Sequence, residues 1–101
     1  MSAHVVYVGN RVPITVEWLD YDERGFSTGF LAMSTIELDV YRPDGTNFSV
    51  TATASSASVA TADSGLGNLT QEGRYKVHTR CTDGTYDFDL ELRFFDVRAQ
   101  P

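Results

Sequence analysis

From Gly73 to Phe94, apolar and polar residues alternate on both sides of a central Asp83-Gly84 pair. Such a pair between two alternating runs predicts a β-hairpin with a two-residue type I′ turn, which needs positive φ at both central positions. The turn sets the expected register. Cys81 would face Tyr86, Thr79 Phe88, Val77 Leu90 and Tyr75 Leu92, all on one side. The other side would pair Arg80 with Asp87, His78 with Asp89 and Lys76 with Glu91. One face is apolar and the other carries cross-strand charge complements, the pattern of a half-buried antiparallel sheet.

The same period of two recurs along the rest of the chain. His4–Val8 reads as a short first strand, broken by Gly9-Asn10. Val12–Leu19 is a second, with Ile14, Val16 and Trp18 inward and Pro13 near its start, where a missing N–H is tolerated. Ser34–Tyr41 is a third, with Ile36, Leu38 and Val40 inward, and it leads into Pro43-Asp44-Gly45. A three-residue loop there sets Val40 against Phe48, Leu38 against Val50 and Ile36 against Ala52. A two-residue loop would mix the faces, so the longer one is expected. Residues Ser49–Asp63 are mostly Ser, Thr, Ala and Val, with a short strand around Ser58–Ala62 and a loop over Ser64–Asn68. After Leu92 and Phe94 the phase moves by one residue to Phe95 and Val97, which predicts a bulge near Phe94-Phe95. Seven or eight short strands with turn signals every eight to twelve residues imply an all-β fold, an antiparallel β-sandwich formed by residues 1–101 as one domain.

Composition narrows the function classes. A 101-residue chain with 42% apolar residues can bury one core. A net charge of −6 runs against nucleic-acid binding, which calls for a basic stripe. Cys81 is the single cysteine, falls on the inward phase, and reads as a small buried hydrophobe. No apolar run approaches membrane-spanning length, and the start of the chain lacks a charged segment followed by an apolar one. The expectation is no signal peptide, no membrane contact and no cofactor.

Candidate chemistry is sparse. Asp20-Tyr21-Asp22-Glu23-Arg24-Gly25 matches a calcium loop at its first, third and sixth positions. It departs from one at the fifth, Arg24, and the twelfth, Leu31, so a solvated acidic loop explains it without a metal. Asp87, Asp89 and Glu91 form an acidic row, each expected to face a basic partner. Neither His4 nor His78 belongs to a nucleophile or metal motif, and no enzyme is expected. Phe26, Phe30, Leu31 and Met33 stand on a glycine-bearing connection where apolar residues are unusual. They form either a lid over one end of the sandwich or an apolar anchor for a neighbouring protein, and are the candidate partner-binding residues.

Leu69-Thr70-Gln71-Glu72-Gly73-Arg74-Tyr75-Lys76-Val77 resembles the corner that opens the second-last strand of immunoglobulin-like domains. There a tyrosine hydroxyl returns to the backbone, a role that falls to Tyr75 with Gly73 two residues before it. Val77 stands where antibody domains carry a cysteine, and Trp18 lies on the second strand rather than the next. Gly9…Val12…Ile14…Val16…Trp18…Asp20, then Val40…Pro43-Asp44-Gly45-Thr46, then Gly73…Tyr75…Val77 is similar to small Ig-like modules of tailed-bacteriophage virion proteins. This resemblance covers nearly the whole chain, and its motifs are turns and core positions. It implies a non-enzymatic virion structural protein, assembled in the host cytoplasm. Such a protein binds other virion proteins in many copies, as head decoration or a head–neck–tail component. Trp18, Gly73, Tyr75, Asp83 and Gly84 would hold the fold. The alternative is a carbohydrate-binding or adhesive Ig-like surface module, with Tyr21, Tyr41 or Trp18 stacking on sugar.

Overall fold

The computed structural model describes residues 5–18, 29–90 and 92–101. The fold is all-β. Its strands are β1 (Val6–Tyr7), β2 (Pro13–Glu17), β3 (Thr35–Tyr41), β4 (Asn47–Thr51), β5 (Thr53–Ala54), β6 (Val59–Asp63), β7 (Gly73–Thr82), β8 (Asp87–Asp89) and β9 (Arg93–Arg98). A 3-10 turn, Gly29–Ala32, precedes β3. The large sheet has the order β1-β9-β7-β3-β4, with β8 also paired to β7. The small sheet has the order β2-β6-β5. No helix among the described residues is long and apolar enough to cross a membrane.

Alternation builds the core as expected. Ile14, Val16 and Trp18 on β2 and just after it, with Ala60 and Ala62 on β6, face Ile36, Leu38, Val40, Tyr75 and Val77 of the large sheet in one buried cluster. Small alanines on one sheet leave room for the larger side chains of the other. β3 is paired along both edges, to β4 and to β7, and is the most buried strand.

The first hairpin follows its predicted register. Val40 faces Phe48 and Leu38 faces Val50, and the Ala52 N–H donates to the Ile36 carbonyl at 2.8 Å. Gly45 has φ +91°, and its N–H donates to the Arg42 carbonyl, closing a type I turn within a three-residue loop.

The second hairpin departs from its predicted register. Cys81 faces Phe88, Arg80 faces Asp89 and Thr82 faces Asp87, so the ladder is displaced by two residues. The cause lies in the turn. Gly84 has φ +96°, but among the described residues none other than glycine has positive φ, so Asp83 cannot enter a type I′ turn. Instead the Asp83 carboxylate accepts from the Thr85 and Tyr86 N–H groups, both at 2.8 Å. The Thr82 hydroxyl accepts from the Gly84 N–H. The loop is therefore four residues long. A shift of two leaves every side chain on its expected face, which is why alternation alone could not detect it.

The bulge also lies earlier than expected. The Leu90 N–H donates to the Thr79 carbonyl, whereas Arg93 already faces Val77. Two steps along β7 are matched by three on the returning chain, so the extra residue falls between Leu90 and Arg93. This brings Phe95 and Val97 inward, and Phe95 stacks on Tyr75 with ring centroids 5.2 Å apart. Leu92 and Phe94, expected inward, are 43% and 56% exposed. Finally, β1 is shorter than His4–Val8 and runs parallel to β9, so the sandwich is not wholly antiparallel. His4 itself lies outside the described residues.

Candidate functional site

The apolar connection before β3 divides its predicted residues between two roles. Gly29 has φ +52° and sits where a Cβ would collide with the Ala57 carbonyl. That close approach lets the Phe30 N–H donate to the same carbonyl at 2.9 Å. Phe30 is 1% exposed and meets Trp18 edge to face at 5.3 Å. It plugs the end of the core. Met33 is half-buried against the same cluster. Leu31, on the same turn, is 62% exposed. Phe26 and the acidic Asp20–Gly25 loop lie outside the described residues. Among its described large apolar side chains the turn therefore leaves Leu31 exposed, beside the buried Phe30.

Gly73 and Tyr75 form a corner at the start of β7. The buried Tyr75 hydroxyl donates to the Gln71 carbonyl at 2.9 Å and accepts from the Gln71 N–H at 3.0 Å. Gly73 has φ +130°, and a Cβ there would lie 2.7 Å from Pro43 Cγ. The corner thus fixes the turn after β3 as well. Asp83 and Gly84 close the four-residue loop just beyond the opposite end of β7.

The outer face of the large sheet is the region that periodicity did not reveal. Register places Phe94, Lys76 and Tyr41 in one row across β9, β7 and β3. The Lys76 ammonium lies 5.2 Å from the Tyr41 ring centre and the Arg74 guanidinium 5.9 Å from that of Phe94. Arg74 also pairs with Asp96 at 3.2 Å. Further along the strands the face turns acidic. Arg80 is bound by Glu37 and by Asp39, whose buried carboxylate also accepts from the Ser49 hydroxyl. The carboxylate of Asp39, then that of Glu37, raises the Arg80 pKa above its ordinary value. His78 Nε2 lies 3.2 Å from Asp89. Arg80 is thus committed to β3 rather than to the predicted Asp87, while His78 keeps its predicted partner. A signal for Phe94 did exist: Phe94 and Phe95 are adjacent, so in a strand with no bulge between them one must face outward.

Comparison with known protein families, with curated proteins and with solved structures returns no match for this chain. The geometry therefore carries the reading. Among the described residues, no group of three or more His, Cys, Asp or Glu is placed to hold a metal. What the described surface presents is shape, exposed apolar groups and patterned charge, the means of non-covalent recognition.

Proposed function

We propose that the chain is a non-enzymatic, Ig-like structural module of a tailed-phage virion. It would bind other virion proteins as head decoration or as a head–neck–tail component. The observation that carries the Ig-like part is the corner in which the Tyr75 hydroxyl bonds both backbone groups of Gln71. Strand order supports it. β2, β6 and β5 lie together as strands B, E and D do in immunoglobulin domains, and β3, β7 and β9 lie together as C, F and G do. The virion part rests on the motif resemblance along the chain. The adhesive alternative loses its strongest aromatic, because Trp18 is buried beneath Phe30.

The test is density-gradient fractionation of the source culture lysate with peptide mass spectrometry. Co-sedimentation with particles at a stoichiometric copy number is expected. Recovery only in soluble or cell-surface fractions overturns the reading. Leu31→Asp should abolish incorporation with unchanged thermal unfolding. Phe30 is unsuitable for that test, since truncating it removes a core side chain at a cost of about 3–5 kcal/mol.

A further inference from the structure

We infer that the outer face of the large sheet is a surface for pairing with a second copy of this chain. The inference is independent of the virion assignment and rests on three observations. First, the bulge before β9 leaves Phe94 and Leu92, two residues apart, 56% and 43% exposed, so the face carries an apolar patch beside its charges. Second, charge is segregated along the face. At the Phe94 end stand Arg74, Lys76 and Arg98 against Asp96, at the opposite end Glu37, Asp87 and Asp89 against Arg80, and Asp39 faces His78 in the row between. Third, the acidic end is hollow, with a depression of about 400 Å³ whose walls include Glu37, Arg80, Asp87 and Asp89.

A cation-flanked aromatic knob and an acidic hollow on one face are complementary to each other. They cannot meet within one molecule, because both lie on the same sheet. A two-fold axis between two stacked sheets, crossing the strands near the middle of the face, brings each knob over the other copy's hollow. Such isologous pairing is the commonest form of symmetric association. The face is modest in size. At ~4.8 Å between strands and ~3.3 Å per residue, the strands of the large sheet span roughly 500 Å², less than the ~800 Å² each partner contributes to a standard interface, so a weak dimer is expected. The chain's net charge of −6 opposes indiscriminate self-association, so segregated charge also sets the orientation.

The experiment is sedimentation velocity over a concentration series. The wild-type chain should form dimers. Phe94→Ser should weaken dimerisation roughly tenfold or more, as loss of a central aromatic does, with thermal unfolding unchanged. Two charge-reversed variants provide a test that does not depend on Phe94. Arg74→Glu with Lys76→Glu should be monomeric, as should Asp87→Lys with Asp89→Lys, and mixing the two should restore dimers. A wild-type chain that stays monomeric throughout overturns the self-pairing and leaves the face to a partner of other sequence. Dimers that survive Phe94→Ser, or a mixture that fails to associate, overturn it as well.

Discussion

The chain contains two Asp-Gly turns, and they are held by different means. The Pro43-Asp44-Gly45 turn is docked on the rest of the molecule. Gln71 Nε2 donates to the Asp44 carboxylate at 2.6 Å, Arg42 Nε donates to the Asn68 carbonyl at 3.0 Å, and Pro43 fills the space left by the missing side chain of Gly73. The Asp83-Gly84 turn closes on its own backbone through Asp83 and Thr82. A docked turn has its register specified twice, by its backbone chemistry and by what it touches. A locally closed turn has it specified once, and a shift of two residues costs it no burial.

The largest expected effect breaks the docked turn. Deleting Gly45 leaves Pro43-Asp44 as a two-residue link. Both favoured hairpin turns need positive φ at the first central position, and proline is fixed near −65°. The chain must then slip, turning Phe48 and Val50 outward, or strain. Urea denaturation should show a loss on the order of 3 kcal/mol or more. Deleting Thr85 and Tyr86 from the second turn leaves Asp83-Gly84 as a two-residue link, a pair suited to a type I′ turn, and should cost about 1 kcal/mol or less. Equal losses would sink the distinction.

Tyr75→Phe should come next. It removes the hydroxyl that serves both backbone groups of Gln71, for a loss of about 1–3 kcal/mol in urea denaturation. Because Gln71 holds Asp44, amide exchange at Gly45 and Thr46 should quicken. Exchange at Thr85 and Tyr86 should stay as it was. Parallel changes at both turns would mean that docking contributes nothing to the first.

These two turns also show what could be read from sequence. Period-two alternation gave the sandwich, its core and, with the turn residues, the β3–β4 register, because a two-residue loop at Asp44-Gly45 would mix the faces and a three-residue loop does not. The same rule was blind to the displacement at Asp83, since both registers bury the same face. It misplaced Leu92 and Phe94, because a bulge inverts facing downstream and its position depends on Phe95 packing against Tyr75. The tyrosine corner was legible as a motif, since a hydroxyl four residues from the backbone it bonds is local chemistry. The outer-face row was not, because Phe94, Lys76 and Tyr41 become neighbours only once three strands are in register.

The smallest expected effects lie in the titration of the two turn aspartates. Asp44 is held below its ordinary pKa by the Thr46 hydroxyl, then by the Thr46 N–H and the Gln71 amide. Asp83 is lowered by the N–H groups of Tyr86 and Thr85. In both, the folded state favours the carboxylate, so the stabilisation is complete above the unfolded value near 4 and is lost as pH falls through the folded one. Asp44→Asn and Asp83→Asn should therefore each lower the urea midpoint at pH 7, and the gap to wild type should close as pH is lowered below about 4. Asp63, held at about 2 by Arg11 and the Gly65 N–H, supplies the control, with a gap for Asp63→Asn that persists further into acid. Combination with Gln71→Ala separates the turns. Asp44→Asn should be less than additive with it, because the two changes remove one shared hydrogen bond, whereas Asp83→Asn should add in full. Additivity at both sites would mean that the Asp44–Gln71 contact is energetically silent, and that the first turn is as local as the second.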